Sequence, residues 1–190
     1  MTPEEKNTNF KKAIPGFLVL FLIIGIYLYS VISDGTINAK PLNNFLNKAN
    51  TSSSVDSNAN AINGIDKDLV CLVYSEVGSY SESAKQGVAS VVYNRIKSEF
   101  FPNNVQDVVY QTGQFESVYA GRMFTYDSIP EGDRSIVENA IKKAQSSDNT
   151  NGALFYYRVG QVSQSEDQKI RQMNGVTVIG DVVFMTTFPY

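Results

Sequence analysis

The stretch that decides the fold is Leu69-Val70-Cys71-Leu72-Val73-Tyr74-Ser75-Glu76, together with the segment from Ala84 to Ile96. The first part is an apolar run that ends at a carboxylate. The second part carries residues at helical spacing, which predicts one buried stripe: Ala84, Val88, Val91, Val92, Arg95 and Ile96. A glutamate between two apolar segments must either find a partner or stay protonated, and a protonated glutamate can act as a general acid.

The composition limits the chemistry that the chain can perform. Its 190 residues hold 16 basic and 19 acidic side chains, so the charge gives no reason to expect binding to nucleic acid. One cysteine and no histidine exclude a zinc site built from these ligands, as well as Ser-His and Cys-His nucleophiles. Acid and base chemistry is left to carboxylate, tyrosine and lysine side chains, and we expect neither a metal nor another cofactor.

The N-terminal part of the chain has the pattern of a membrane anchor. Residues 1–12 are polar and contain three lysines, whereas 13–33 hold no charged residue and are long enough to cross a bilayer as a helix. Because lysines precede this run and Asp34 is the first charge after it, the positive-inside tendency predicts a cytoplasmic N-terminus and an extracytoplasmic remainder at the cell membrane. A cleaved signal peptide is the alternative, although the run is long for an h-region and no Ala-x-Ala site follows.

The rest of the chain divides into a linker and a folded domain. Residues 34–65 are rich in Asn and Ser and hold little that could be buried, which predicts a flexible linker. We expect the folded domain at 66–190. A linker of this length would carry the domain away from the membrane towards a surrounding wall.

Four helices are predicted within the domain. Asp66 is a plausible N-cap for the first helix, Ser81 or Ser83 for the second, and Asn104 for a short third helix at 105–110. The fourth helix would begin at an acidic turn, Pro130 to Asp133. Its predicted inward face comprises Ile136, Ala140, Ile141 and Ala144.

Strands follow the helices. The segment 153–157 is predicted to be a strand, and 176–179 and 182–185 form a predicted hairpin around Gly180-Asp181. Helices first and a small C-terminal antiparallel sheet last indicate the α+β class.

Four stretches occur in an order and at separations that resemble a known family. The stretches are Val73-Tyr74-Ser75-Glu76-Val77-Gly78, Val88-Ala89-Ser90-Val91-Val92-Tyr93-Asn94-Arg95-Ile96, Val108-Val109-Tyr110-Gln111-Thr112-Gly113-Gln114-Phe115 and Gly152-Ala153-Leu154-Phe155-Tyr156. They are similar, in turn, to the aliphatic-Tyr-x-Glu-Ala segment, the Val-Ala-x-Val-Val-x-Asn-Arg helix, the Val-Tyr-Gln-x-Gly-Gln-Phe loop and the Gly-Ala-Leu-Phe strand of SleB/CwlJ-type cell wall hydrolases, which include spore-cortex-lytic enzymes. The resemblance extends over 69–184.

The resemblance implies a lysozyme-like α+β catalytic domain that cleaves peptidoglycan glycan strands, with Glu76 matching the catalytic glutamate. Two-carboxylate glycosidases need a nucleophile or base beside the acid, whereas a lytic transglycosylase can use one carboxylate for both steps. Since one strong acid candidate is present, we expect a lytic transglycosylase. A hydrolytic muramidase or glucosaminidase, and a non-catalytic peptidoglycan-binding module of a wall-spanning machine, are the alternatives.

Five further residues are predicted to bind substrate: Asn94, Gln114, Phe115, Glu116 and Tyr156. Asn94 could equally belong to a buried structural hydrogen-bond network. Glu116 and Glu82 are possible second carboxylates, although Glu82 suits a solvated first helical turn. Tyr156 and Tyr157 should point to opposite faces of their strand, and Cys71 is expected to be a buried, inert thiol.

The chain departs from the family pattern at two places. Gly78-Ser79-Tyr80 follows the glutamate, where family members often have Arg-Gly-Glu or Gly-Asn. Val182 stands where the closing Ile-Gly-x-His-x-Phe segment commonly has histidine. These departures favour the non-catalytic alternative, whereas the presence of Glu76, Gln114 and Phe115 argues against it.

Overall fold

The computed structural model describes residues 61–62 and 64–189, which belong to one compact unit, Ser54–Tyr190. The predicted cytoplasmic N-terminus at 1–12, the predicted transmembrane helix at 13–33 and nearly all of the predicted linker lie outside these residues. Within the described part of the chain, no helix is both long and apolar enough to cross a membrane.

After a short β-hairpin, helices make up most of the first part of the domain and a three-stranded sheet forms in the last part, as predicted for the α+β class. The elements are β1 (Ala61–Ile62), β2 (Ile65–Asp66), α1 (Lys67–Val77), α2 (Glu82–Lys97), α3 (Val105–Val109), α4 (Glu116–Tyr119), a 3-10 turn (Tyr126–Ser128), α5 (Glu131–Ser146), β3 (Phe155–Arg158), α6 (Gln164–Arg171), β4 (Val176–Ile179) and β5 (Val182–Met185). Strands β1 and β2 pair as a short antiparallel hairpin in front of α1.

The predicted helix caps are confirmed. The Asp66 carboxylate accepts hydrogen bonds from the backbone N–H groups of Asp68, at 2.8 Å, and Leu69, at 3.4 Å. Ser81, rather than Ser83, caps α2 by accepting from the Ala84 N–H. Each cap satisfies a backbone donor that the first turn of a helix leaves unpaired, which explains why these helices begin where they do.

The C-terminal sheet has three antiparallel strands in the order β3-β5-β4. The hairpin around Gly180-Asp181 is confirmed, with Ile179 opposite Val182. All four residues of the central strand β5 are buried, because helices and neighbouring strands cover it on both sides. The register places Tyr156 on β3 opposite Phe184 on β5, which fixes where the tyrosine ring lies.

One predicted core position on α5 is wrong. Ile136 is 44 % exposed, and Val137 takes its place among the buried residues. The buried set Val137, Ala140, Ile141 and Ala144 follows the spacing i, i+3, i+4, i+7, and Ile136 lies one position off this stripe.

Sequence reasoning also missed some elements. Helix α6 begins with a capping box, in which the Ser163 hydroxyl accepts from the Glu166 N–H and the Glu166 carboxylate accepts from the Ser163 N–H. This Ser-x-x-Glu pattern is visible in the sequence and would have predicted the helix. The four-residue helix α4 has no side-chain cap, so no comparable signal precedes it.

The close contact of α2 with β5 gives a test of the packing. A Cβ atom added at Gly87 would lie 2.9 Å from Cε1 of Phe184, whose ring is fully buried. We expect Gly87→Ala to reduce the free energy of unfolding by about 1–3 kcal/mol, because a packed ring must move. Gly132→Ala on α5 is the matched control, since a Cβ there meets nothing within 4 Å. In chemical denaturation the free energy of unfolding of Gly132→Ala should equal or exceed that of the wild type. If Gly87→Ala were as stable as Gly132→Ala, the close contact between Gly87 and Phe184 would be contradicted.

Candidate active site

Glu76 lies in the last turn of α1, with its side chain enclosed by protein. The residue is 6 % exposed, and both of its carboxyl oxygens accept hydrogen bonds. Oε1 accepts from the backbone N–H of Ser117 at 3.1 Å, and Oε2 accepts from the hydroxyl of Tyr156 at 3.1 Å. A buried carboxyl group is costly unless it is hydrogen-bonded, and these two donors meet that need.

Tyr156 reaches Glu76 from strand β3. Its ring packs against Phe115, with centroids 6.5 Å apart, and against Phe184, with centroids 6.0 Å apart. Burial raises the pKa of Tyr156 well above its ordinary value, and the negative charge of Glu76 adds to this effect. The phenol therefore stays protonated at neutral pH and can donate to the Glu76 carboxylate.

The segment 115–124 is attached to α1 beside the acid. Besides the Ser117 contact, the Phe124 N–H donates to the Ser75 hydroxyl oxygen at 2.9 Å, and that hydroxyl donates to the Cys71 carbonyl at 2.6 Å. The segment is closed on itself by a hydrogen bond of 2.8 Å from the Arg122 N–H to the Ser117 carbonyl. These contacts fix the position of the Ser117 N–H relative to the carboxyl group.

Glu116 lies next to this donor and is paired with two arginines. Its carboxylate is 2.5 Å from Arg122 and 3.6 Å from Arg158, and its side chain is 38 % exposed. Arg158 also donates to the backbone carbonyl of Glu76 at 2.9 Å. Arg158 therefore links α1, which carries Glu76, to Glu116, which precedes the Ser117 donor. Ion pairs as exposed as these contribute little stability individually.

Two buried side-chain oxygens, at or within three residues of the Ser117 donor in the chain, have no hydrogen-bond partner among the described residues. They are Oε1 of Gln114 and Oγ of Ser117, and both are buried. Since buried polar atoms are usually paired, unpaired atoms this close in the chain to a donor of Glu76 are candidates for contacts with substrate. Gln114 was predicted from the sequence, whereas Ser117 was missed, because a backbone donor leaves no residue-type signal.

Phe115 is placed in the core, with 2 % of its surface exposed. The guanidinium of Arg95 lies 4.9 Å from the centroid of its ring, and Arg95 Nε donates to the Leu154 carbonyl at 2.8 Å. Burial lowers the pKa of Arg95 to about 10, so the group remains charged at neutral pH. Phe115 thus packs between Arg95 and the Tyr156 ring. Because Phe115 is buried, it would act on the substrate only by positioning Tyr156.

Asn94 is directed to the loop before β3 rather than to Glu76. Its amide nitrogen donates to the Asp148 carboxylate and the Ala153 carbonyl, each at 3.1 Å, and to Thr150 at 3.4 Å. Burial acts to raise the pKa of Asp148, but hydrogen bonds from Thr150, Gly152 and Asn94 outweigh it and lower the pKa. This arrangement corresponds to the structural network considered above for Asn94, and its substrate contact stays a prediction.

The remaining candidates lie apart from the acid. The Tyr157 hydroxyl donates to Asp167 at 2.7 Å, on the face of β3 opposite to Tyr156. Glu82 forms a surface ion pair of 2.8 Å with Lys143. Cys71 is buried, and burial raises its thiol pKa to about 11, so little reactive thiolate forms at neutral pH.

No metal-ligand cluster occurs in the part of the chain that the structure describes, where a cluster means three or more His, Cys, Asp or Glu side chains placed to hold an ion. The site consists instead of the Glu76 carboxyl group, the Tyr156 phenol and the Ser117 backbone N–H. Such a set can transfer a proton and can stabilise the carboxylate left behind.

Two solved structures are similar to this chain. The catalytic domain of the Bacillus cereus SleB protein is 27 % identical, over 66 % of this chain and 95 % of that one, with a TM-score of 0.47. The catalytic domain of the germination-specific lytic transglycosylase SleB from Bacillus anthracis is 26 % identical, over 66 % and 99 % of the two chains, with a TM-score of 0.49. No curated protein matches the chain significantly.

Residues 79–185, more than half of the chain, match the family described as Cell Wall Hydrolase. The match includes Tyr156 and the segment 115–124, and it begins three residues after Glu76. It also contains all three strands of the C-terminal sheet. On this match, the chain belongs to the cell wall hydrolase family.

Proposed function

We propose that the chain is a lytic transglycosylase that cleaves the bond between muramic acid and glucosamine in peptidoglycan, with Glu76 as both acid and base. Family membership supports peptidoglycan as the substrate. The observation that carries the mechanism is the enclosure of Glu76 at 6 % exposure with a donor on each carboxyl oxygen. A carboxyl group in this setting can release a proton without becoming an unpaired buried charge.

The first step would use Glu76 as the acid. Its proton passes to the glycosidic oxygen as the bond from that oxygen to C1 of muramic acid breaks and positive charge develops at C1. The carboxylate that remains accepts hydrogen bonds from the Ser117 N–H and the Tyr156 hydroxyl. Because both donors are held by the surrounding fold, little reorganisation is needed at the moment of proton transfer.

The second step would use the same carboxylate as the base. It takes the proton of the C6 hydroxyl of muramic acid, and the C6 oxygen then bonds to C1. This restores the protonated acid, consumes no water and leaves a 1,6-anhydro end. One carboxyl group is sufficient for the whole cycle, since the nucleophile belongs to the substrate.

Hydrolysis by a muramidase or glucosaminidase mechanism is the second candidate, and the position of Glu116 is the observation that favours it. Glu116 immediately precedes the donor Ser117, so it is close enough in the chain to be considered as a second carboxylate. Its pairing with Arg122 and Arg158 argues for a positioning role instead. A nucleophile or base needs a carboxylate that is available to substrate or water.

We also propose that the enzyme acts outside the cell membrane, attached by a single helix at 13–33. The uncharged run, the lysines before it and the Asn/Ser-rich segment after it support this arrangement. Attachment at one end of a linker would keep the domain near the wall while it samples neighbouring glycan strands.

Replacing the acid tests the mechanism directly. Glu76→Gln keeps the shape of the side chain but removes its ability to donate and accept the proton, so we expect clearing of cell-wall suspensions to slow about 10²- to 10⁴-fold. The melting temperature should stay close to that of the wild type. Chromatography of the wild-type digest should show 1,6-anhydromuramic ends; reducing ends would assign the chain to the hydrolytic alternative.

The neighbouring tyrosines provide a matched pair of variants. Tyr156→Phe removes the donor to Glu76 Oε2, and we expect the rate to fall about 10- to 100-fold, as for loss of a hydrogen bond to a charged group. Tyr157→Phe removes a hydroxyl from the other face of the strand and should retain the wild-type rate. The rate of turbidity loss under saturating wall suspension distinguishes them, and equal rates in the two variants would count against the role of Tyr156.

Glu116→Gln separates positioning from catalysis. If Glu116 only steadies the segment through its arginine pairs, its neutral analogue should lower the rate by less than about tenfold, because exposed ion pairs are weak. The products should keep their 1,6-anhydro ends. A loss of about 10²-fold or more, with the fold intact by circular dichroism, would make Glu116 the missing second carboxylate.

A further inference from the structure

A cleft of about 400 Å³ lies between two turns of the domain. One wall is the turn 79–81 between α1 and α2, and the other is the turn 179–181 between β4 and β5. The volume falls within the range of small-molecule sites. None of the substrate-binding residues predicted from the sequence lines this cleft.

The lining of the cleft combines apolar groups that are buried or half-buried with polar groups of exposed residues. Ala84 is buried, and Tyr80 and Ile179 are half-buried side chains packed against the core. The polar groups are the hydroxyls of Ser79 and Ser81 and the exposed carboxylate of Asp181. A pyranose ring has the same division, with C–H groups on its faces and hydroxyls around its edge.

Both walls are held by hydrogen bonds within the protein. The Tyr80 N–H donates to the Val77 carbonyl at 3.0 Å, and the buried ammonium of Lys85 donates to the Tyr80 carbonyl. On the other side, the Val159 N–H donates to the Asp181 carbonyl at 2.8 Å. A cleft whose walls are already fixed loses little conformational entropy when a ligand binds.

The cleft is connected to the acid through both walls. Ser79 follows Glu76 by three residues in the chain. Arg158, which donates to the Glu76 carbonyl, lies opposite Val182 in the sheet, directly after Asp181. The residues that line the cleft therefore adjoin, in the chain and in the sheet, the elements that hold Glu76 in place.

We propose that this cleft binds one N-acetylated sugar of the glycan strand, apart from the sugar that is cleaved at Glu76. The inference rests on the proposed function of Glu76. The Asp181 carboxylate would accept from a sugar hydroxyl or from the N–H of the acetamido group, while the ring face packs on Tyr80 and Ile179. No lysine or arginine lines the cleft, so its chemistry suits an uncharged sugar rather than a phosphate or a carboxylate.

Binding of peptide-free glycan strands tests the inference without depending on turnover. The full chain carrying Glu76→Gln serves as the parent, and Asp181→Asn and Ser79→Trp are added to it separately. The first removes the acceptor charge, and the second fills the cleft from an exposed position. Isothermal titration should show about a tenfold or greater rise in the dissociation constant for each.

Glu99 supplies the controls, because it is an exposed carboxylate outside the cleft. Glu99→Gln and Glu99→Trp should bind like the parent, and melting temperatures confirm that every variant is folded. Parent-like binding by folded Asp181→Asn and Ser79→Trp would overturn the cleft site. Weaker binding by these variants only to glycan strands that carry stem peptides would also overturn it, because the cleft would then bind an amine of the peptide.

The two proposals fail in different ways. Parent-like strand binding by both cleft variants, with 1,6-anhydro ends released by the wild type, overturns the cleft and leaves the proposed function standing. Weakened binding by the cleft variants, with reducing ends in the wild-type digest, supports the cleft and overturns the transglycosylase mechanism.

Discussion

The structure depends on the requirement that the buried carboxyl group of Glu76 be hydrogen-bonded. A carboxyl group at 6 % exposure is destabilising unless hydrogen-bond donors reach it. Two donors reach Glu76, and neither belongs to helix α1. They come from Ser117 and Tyr156, which are 41 and 80 residues away in the chain. Much of the remaining architecture can be understood as the means of bringing these two donors to one point.

Close packing between α2 and the sheet positions one of these donors, the Tyr156 hydroxyl. Gly87 on α2 leaves room for the Phe184 ring, which in turn packs against Tyr156. A residue without a side chain therefore helps to set the position of the hydroxyl on β3. On the other side, Arg95 is buried among aromatic rings and binds the carbonyl that precedes β3. Rigid packing of this kind allows the donor to keep its place while the charge on Glu76 changes.

The features that were predicted correctly from the sequence are those that local sequence patterns determine. Asp66 and Asn104 were identified as caps because capping depends on one side chain and its own helical turn. The inward face of α5 was misplaced by one residue at Ile136, since adjacent apolar residues both suit a broad stripe. The Ser117 donor could not be predicted, because a backbone N–H is common to almost every residue type and its position follows from tertiary packing alone.

In the proposed mechanism one carboxyl group performs both proton transfers, and the substrate supplies the nucleophile. Digestion of peptidoglycan in water enriched in ¹⁸O, followed by mass spectrometry of the new muramic ends, tests this claim most directly. If the C6 hydroxyl of muramic acid is the nucleophile, these ends contain no ¹⁸O. One ¹⁸O atom per newly formed end would contradict it, because water would then be the attacking group.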